Sequence, residues 1–195
     1  MTPEEAGPPE AEWVRRAQAG DAAAWEALIT AHRPAACRLA YLLLGDAAEA
    51  DDAAQEACLR AYRALDRFEL GRPFRPWLLR ITVNLARNRQ RSLGRYWAAL
   101  QRRLRAEPAP VVDAHTLTAQ QLEAQAVWRA VQRLAETDQQ IIYLRYFLEL
   151  SEAEAAAALD VPAGTVKSRL HRALGRLRIV ITRDFPDLQP ELVDG

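Results

Sequence analysis

Apolar residues recur along this chain at the spacing of helices, whereas the strict alternation of a half-buried strand is almost absent. β-branched residues are scattered, Ala and Leu are abundant, and no Asn-Gly or Asp-Gly pair separates two candidate strands. The pattern predicts an all-α protein of two small helical domains joined by a flexible linker, with a helix-turn-helix in the C-terminal domain.

Capping and turn residues divide the first half of the chain into helices. Asp21 can cap one helix, Gly45 can end another, and Asp46 with Glu49 has the form of a capping box. Helices are predicted at 13–19, 34–44, 47–65 and 76–92. A further helix is predicted to start after Asp21. Gly71, Pro73 and Pro76 predict a loop before the last of these helices.

Prolines interrupt the helical pattern in the middle of the chain. Pro108 and Pro110 rule out a continuous helix, so residues 93–117 are predicted as the linker. Later helices are predicted at 119–134, 138–147 (capped by Thr137 and Gln140), 152–159 and 163–178. The domains are therefore predicted at 12–92 and 118–183, between a disordered tail at 1–11 and an acidic tail at 184–195.

The last two predicted helices have the form of a helix-turn-helix, with Ser151 and Glu154 as a capping box and DVPAG as the turn. The buried stripe of the second helix is predicted to be Val166, Leu170, Ala173, Leu174 and Leu177. Its outward face is Lys167, Ser168, His171, Arg172 and Arg176. Such a face suits the major groove of DNA, although a solvated bundle helix could present the same pattern.

The net charge of zero hides two strongly basic blocks. Residues 60–105 carry 13 basic and 2 acidic side chains, and residues 161–183 carry 6 basic side chains and none that is acidic. Two separate basic blocks indicate two contacts with a polyanion, because Lys and Arg release counterions from a phosphate backbone.

The helix within PFRPWLLRITVNLARNRQR is two-faced. Phe74, Trp77, Leu78, Ile81 and Leu85 share the side expected to be core. Arg80, Asn84, Arg87 and Arg91 recur on another side, where arginines could contact phosphates and the amide a base edge. Phe68 and Phe74 flank the preceding loop and could stack on unpaired bases, although each ring alone could equally be core.

Other classes of protein find little support in the composition. No apolar run is long enough for a membrane helix, and the acidic, Pro-rich start lacks the form of a secretion signal, so we expect a cytoplasmic protein. Cys37 and Cys58 are expected to be reduced core thiols. No Cys/His cluster has metal-ligand spacing, and no catalytic arrangement is evident, so we expect no metal, no cofactor and no enzymatic activity.

Taken together, these motifs resemble an extracytoplasmic-function (ECF, group IV) sigma factor of bacterial RNA polymerase. The resemblance rests on QAGDAAAWEALI, LLGDAAEADDAAQEACLRAYRALDRF, FRPWLLRITVNLARNRQR and LRYFLELSEAEAAAALDVPAGTVKSRLHRALGRLR, and it covers residues 12–92 and 118–180. It implies a polymerase subunit that directs promoter recognition, DNA melting and transcription initiation at a stress- or envelope-responsive regulon. It also implies three partners: core RNA polymerase, promoter DNA and an anti-sigma factor.

The resemblance further assigns roles to individual residues. Residues implied to bind polymerase are Asp51, Asp52, Gln55 and Glu56. Those implied to read the single-stranded −10 element are Phe68, Phe74, Trp77, Arg80, Ile81, Asn84, Arg87, Asn88 and Arg91. Those implied to read the −35 element are Thr165, Lys167, Ser168, Arg169, His171, Arg172 and Arg176. Asp160 stands where the family usually has Gly, and we expect it to adopt the same left-handed conformation.

Two other functions remain open from the residues alone. A stand-alone helix-turn-helix regulator would bind its promoter tightly without polymerase, but it leaves the first basic block unexplained. An adaptor whose basic faces bind acidic proteins would show no promoter preference.

Overall fold

The computed structural model describes residues 10–101 and 119–188, without the side chains of 91–101, 119–123 and 187. Eight α-helices are found in these residues: α1 Glu10–Gln18, α2 Ala22–Leu44, α3 Ala47–Ala64, α4 Phe74–Gln101, α5 Ala119–Gln132, α6 Glu136–Ile142, α7 Glu152–Leu159 and α8 Ala163–Asp184. Short 3₁₀ turns at Leu65–Arg67 and Pro186–Leu188 and a π-helical turn at Tyr143–Phe147 complete them. The described residues contain no strand, so the all-α prediction is confirmed.

Several helix ends follow the local signals. The Asp21 carboxylate accepts hydrogen bonds from the backbone N–H groups of Ala23 and Ala24, and Asp46 accepts one from Glu49. Gly45 ends α2 in the left-handed conformation, with φ of 75°. These caps fix where α2 and α3 meet.

Three predicted boundaries are wrong. Pro34 does not begin a helix but lies inside α2, because Leu28, Ala36 and Leu39 bury one continuous face on both sides of it. Helix α4 begins at Phe74 and continues to Gln101, since Gly94 alone does not stop a helix and no proline follows before Pro108.

Helix α6 also differs from its prediction. It begins at Glu136 without a side-chain cap, so Thr137 does not cap it. It ends at Ile142, where the backbone widens into the π-helical turn.

The predicted tails are partly ordered. Glu10, placed in the disordered tail, lies in α1. Asp184 ends α8, and hydrogen bonds from Arg183 and from Arg133, which lies 2.5 Å away, lower the pKa of Asp184 to about 2. The remaining tail predictions (1–9 and 189–195) and residues 102–118 of the linker lie outside the described residues.

The first of two large buried clusters, here called the N-terminal core, lies within helices α1–α4 and the segment that joins α3 to α4. Its members include Val14, Leu28, Ala54, Cys58, Leu65, Phe74, Leu78 and Leu85. Both cysteines are free, and burial raises the pKa of the Cys58 thiol, as expected of a reduced core residue.

The second cluster, here called the shared core, joins helices from both halves of the chain. From α2 and α4 it takes Leu39, Leu42, Leu43, Leu79, Val83 and Ala86; from the C-terminal half it takes, among others, Val131, Ile141, Leu150, Ala155, Ala156, Val166 and Ala173. Helix α4 therefore has two buried faces, and it packs directly against α7. No helix among the described residues is long and apolar enough to cross a membrane.

Candidate nucleic-acid interface

The third face of α4 is a polar stripe between its two buried faces. Asn84 and Asn88 are exposed there, and Trp77, Arg80 and Ile81 are half-buried beside them. Because both other faces are packed, this stripe is held on a rigid helix. Arg91 also lies in α4, but its side chain is outside the described part of the structure.

An aromatic cluster lies under the start of α4. The Phe74 ring has its centroid 5.8 Å from that of Phe68, 5.5 Å from Trp77 and 6.2 Å from Trp25. Phe74 is fully buried, so the prediction that its ring contacts DNA is wrong in this structure: its neighbours on every side make it part of the core. Phe68 is 6% exposed, and of these four rings only Phe68 and Trp77 line the adjacent groove.

Two residues that the sequence reasoning missed hold this region together. One Glu10 oxygen accepts a hydrogen bond of 2.7 Å from the Phe74 backbone N–H, and its other oxygen lies 2.7 Å from His32 Nε2. Gln18 donates from Nε2 to the carbonyl oxygens of Leu65 (2.9 Å) and Phe68 (2.8 Å). Nothing in the sequence around Glu10 indicates that its side chain would cap a helix that begins 64 residues later.

Burial is the main influence on the protonation of His32. Burial lowers the pKa of His32, which the nearby Glu10 carboxylate opposes and Arg75 reinforces. The neutral imidazole is therefore favoured beside Phe74, whose ring centroid is 5.4 Å away.

Two arginines of the α4 stripe, Arg80 and Arg87, contact the C-terminal half of the same chain. Arg80 Nη2 lies 2.5 Å from Asp160 Oδ2. Arg87 donates from Nε to Glu136 Oε1 and from Nη2 to Gln140 Oε1, each at 3.0 Å. A groove of about 700 Å³, lined by Phe68, Trp77, Arg80 and Asp160 among others, separates the start of α4 from α7.

The acidic turn of α3 faces solvent. Asp51, Asp52 and Gln55 are exposed, and Asp51 lies 2.5 Å from Arg33. Glu56 accepts a hydrogen bond of 2.7 Å from Arg60, and this bond lowers the pKa of Glu56.

An apolar groove borders this acidic turn. It has a volume of about 310 Å³ and is lined by Trp25, Ile29, Leu59 and Tyr62 together with Gln55. Leu59 is 45% exposed and Tyr62 57% exposed. Acidic and apolar groups are thus adjacent on one surface. Such a surface is complementary to a helix that has one basic and one apolar face.

Helices α7 and α8 form the predicted helix-turn-helix, and the capping box is confirmed. The Ser151 backbone N–H donates to Glu154 Oε2 at 2.8 Å, and the Glu154 N–H donates to Ser151 Oγ at 3.2 Å. Asp160 ends α7 in the left-handed conformation, with φ of 55° and ψ of 50°, as expected. Asp160 turns the chain, so only Val161 and Pro162 lie between it and the start of α8 at Ala163.

The outward face of α8 carries most of the predicted residues. Lys167, Ser168, His171 and Arg172 are exposed, and Thr165 and Arg169 are half-buried. Val166 and Ala173 are fully buried behind them, so this face has a fixed direction.

Arg176 differs from its neighbours on α8. It makes two hydrogen bonds to the Asp138 carboxylate, at 2.6 and 2.7 Å, and these bonds raise the Arg176 pKa. Asp138 is only 4% exposed. Arg176 therefore ties α8 to α6, a role that the helical pattern of α8 alone could not reveal.

Two regions of this chain match models of known protein families. Residues 28–96 match the model of sigma-70 region 2, and residues 124–177 match that of sigma-70 region 4. The ECF RNA polymerase sigma factor SigW of Bacillus subtilis is 30% identical over 176 residues, a match that covers 85% of this chain and 92% of SigW. The ECF RNA polymerase sigma-E factor of Escherichia coli K12 is 34% identical over 182 residues, covering 82% and 87%.

Solved structures are similar to the chain over most of its length. CnrH in complex with the cytosolic domain of CnrY has a TM-score of 0.67 and 25% identity, covering 90% of this chain and 98% of that one. The sigma factor RpoE of Bartonella quintana, in complex with the anti-sigma factor NepR, shares the fold with a TM-score of 0.62 at 24% identity, covering 82% and 97%.

Proposed function

Since the chain belongs to the ECF RNA polymerase sigma factors, we propose that it binds core RNA polymerase and reads two promoter elements with two separate surfaces. Sigma factors act in promoter recognition and transcription initiation, and they are DNA-binding regulators rather than enzymes. The observation that carries the proposal is that an exposed polar stripe of α4 and an exposed basic face of α8 lie on helices with buried opposite faces.

The −10 surface consists of Trp77, Arg80, Ile81, Asn84 and Asn88, with Arg87 beside it. An exposed amide such as that of Asn84 can pair with the edge of an unstacked base. The half-buried ring of Trp77 can stack on such a base, and Arg80 can contact its phosphate. Phe74 supports this surface from below and does not belong to it.

The −35 surface is the outward face of α8. Lys167 and Arg172 are exposed and can neutralise phosphates, whereas Ser168 and His171 can reach base edges in the major groove. Thr165 and Arg169 flank this face. Arg176 contributes through its bond with Asp138, which fixes the direction of the helix.

The polymerase surface is the acidic turn of α3, with Asp51, Asp52, Gln55 and Glu56. Its charge and the apolar groove beside it fit a basic helix of the polymerase. An anti-sigma factor is a further proposed partner, supported by the likeness to CnrH, which was solved with a bound partner chain. Membership of group IV and a stress- or envelope-responsive regulon rest on the resemblance of the sequence.

Run-off transcription tests this function. Core RNA polymerase, with and without the protein, is given a library of promoter fragments, and we expect new start sites only with the protein. If no promoter gains initiation, the proposal is wrong. Tight promoter binding by the protein in the absence of polymerase would instead favour a stand-alone helix-turn-helix regulator.

A further inference from the structure

Helix α1 binds both ends of the α3–α4 loop, residues 68–73, which joins the 3₁₀ turn after α3 to α4. At the start of the loop, Gln18 Nε2 donates to the carbonyl oxygens of Leu65 at 2.9 Å and Phe68 at 2.8 Å. At its end, Glu10 Oε1 accepts a hydrogen bond of 2.7 Å from the Phe74 backbone N–H. The two ends of the loop are thus attached to one helix.

These hydrogen bonds satisfy backbone groups at helix ends. Phe74 begins α4, and the first N–H groups of a helix have no partner within it. Leu65 and Phe68, whose carbonyl oxygens bind Gln18, are both buried. Because a buried backbone group without a partner is costly, the side chains of Glu10 and Gln18 stabilise this conformation of the loop ends.

Helix α1 is itself fixed on the N-terminal core. Val14 and Ala17 are buried in that cluster, which also contains Leu65 and Phe68. Glu10 is oriented by His32 of α2, whose Nε2 lies 2.7 Å from the second oxygen of the carboxylate. A packed helix has few alternative positions, so the polar groups of α1 are presented to the loop from fixed places.

The loop between these attachments has little packing of its own. Residues 69–73 are all exposed. Gly71 has φ of 91°, and a Cβ atom added to it would meet no atom within 4 Å. Glu69 and Arg72 pair with each other within the loop at 2.7 Å. Since the middle of the loop is exposed, its position depends mainly on how its two ends are held.

The loop also forms one wall of the groove beside the −10 surface. Besides Trp77 and Arg80, the groove is lined by residues in and next to the loop, namely Arg67, Phe68, Glu69, Arg72 and Pro73. An unstacked base lying against Trp77 would meet this wall. Because hydrogen bonds weaken steeply with distance and angle, a displaced wall would no longer distinguish one base edge from another.

We propose that Gln18 and Glu10 are positioning residues for promoter recognition. From α1 they fix the α3–α4 loop beside Trp77, and the fixed loop restricts which base of the −10 element fits the groove. Neither side chain contacts DNA in this arrangement. The inference rests on the proposed function of the α4 stripe, and it gives α1 a part in recognition through contacts that span 47 to 64 residues of the chain.

The variant Gln18→Leu tests this role, and Gln139→Leu is its matched control. Leucine is similar in size to glutamine but has no hydrogen-bond donor. Gln139 makes the same kind of contact between α5 and α6, where its Nε2 donates to the carbonyl oxygens of Gln132 at 3.0 Å and Leu134 at 2.9 Å. Both glutamines are half-buried, so the two variants lose equivalent hydrogen bonds at different places.

Base discrimination by the holoenzyme is the decisive measurement. Each variant is combined with core RNA polymerase, and initiation is measured on a promoter that the run-off assay selects and on copies with one base changed in the −10 element. We expect Gln18→Leu to reduce the preference for the original base in the groove by roughly 3- to 30-fold, since two hydrogen bonds are together worth up to about that factor. Gln139→Leu should change each preference by less than about twofold.

A purely structural role for Gln18 predicts a different result. Initiation by Gln18→Leu would then fall by the same factor on every copy of the promoter, and the preferences would be those of the wild type. That outcome, or an equal loss of preference in Gln139→Leu, would overturn the proposal.

Hydrogen exchange of the free chain tests the attachment of the loop without DNA. Amides of residues 68–74 should exchange faster in Gln18→Leu than in the wild type, and at the wild-type rate in Gln139→Leu. Unchanged exchange in Gln18→Leu would overturn the proposal. If the wild type supports no promoter initiation, the proposed function fails, whereas the exchange rates still decide whether α1 holds the loop.

Glu10→Ala provides an independent test at the other end of the loop, with Glu12→Ala as its control. Glu12 also lies in α1, but it pairs with Arg15 of the same helix. Glu10→Ala should weaken discrimination of the same base that Gln18→Leu affects, and Glu12→Ala should not. An effect of Glu10→Ala on a different base, or none, would contradict a common action through the loop.

Discussion

Replacing Phe74 by alanine tests whether its ring is part of the core or contacts DNA. The side chain is fully buried, with ring centroids of His32, Trp77, Phe68 and Trp25 at 5.4, 5.5, 5.8 and 6.2 Å. Truncation of a buried phenylalanine to alanine costs about 3–5 kcal/mol, from lost burial and from the cavity that remains.

That cost is large compared with the whole stability of a domain, which is about 5–15 kcal/mol. For a chain of this length each kcal/mol lowers Tm by about 2–4 °C, so Phe74→Ala should lower Tm by roughly 6–20 °C. Urea denaturation followed by tryptophan fluorescence gives the free energy of unfolding. Leu70→Ala is the control, because Leu70 is 52% exposed and its loss should cost no more than about 0.5 kcal/mol.

Transcription by the same variants completes the test. At a temperature where Phe74→Ala remains folded, the holoenzyme should retain promoter opening. The reasoning is refuted if Phe74→Ala unfolds with a free energy within about 1 kcal/mol of the wild type but no longer opens promoters. The ring would then act in a contact with DNA and not only in the core.

Four further predictions follow from single side chains. Asn84→Ala should impair −10 recognition or melting but leave core-polymerase binding intact. Because the amide is exposed, the free energy of unfolding should stay within about 0.5 kcal/mol of the wild type. Loss of polymerase binding in a pull-down would contradict the role of Asn84. Arg172→Ala should weaken binding to −35 duplexes of any sequence and reduce the slope of log affinity against log salt by about 1, whereas a loss confined to one sequence would mean base readout. Ser151→Ala should cost about 1 kcal/mol in urea denaturation by removing the cap of α7, and an unchanged midpoint would argue against the capping box. His32 has a lowered pKa because it is buried, so its contribution to stability is fully present above about pH 6.5 and is lost as pH falls below that value. His32→Gln should flatten this part of the profile of unfolding free energy against pH. An unchanged profile would contradict the neutral imidazole beside Glu10.

Local patterns in the sequence predicted much of the C-terminal half because the interactions concerned are close along the chain. Ser151 and Glu154 are three residues apart and indeed form the capping box. The period of Val166 and Ala173 placed them on the buried face of α8. Asp160 adopts the left-handed conformation expected of it.

Predictions failed where packing overrode a local signal. Pro34 predicts a helix start, but the burial of Leu28 and Leu39 on either side of it outweighs the lost hydrogen bond. The sequence does not distinguish the two roles of Phe74, because a ring next to arginines gives the same pattern whether it faces DNA or a core. Leu79, Val83 and Ala86 repeat at helical spacing and could have revealed the second buried face of α4.

The amino-acid sequence is enough to predict the all-α class, the caps of α2, α3 and α7 and the periodic faces of α4 and α8, because these features depend on residues within one or two turns. The tertiary structure alone decided which charged groups are available. Arg80 with Asp160 and Arg87 with Glu136 are 80 and 49 residues apart, and Arg176 with Asp138 are 38 apart. Whether an arginine is free for DNA depends on which acid the fold brings to it, and no pattern along a single helix records that.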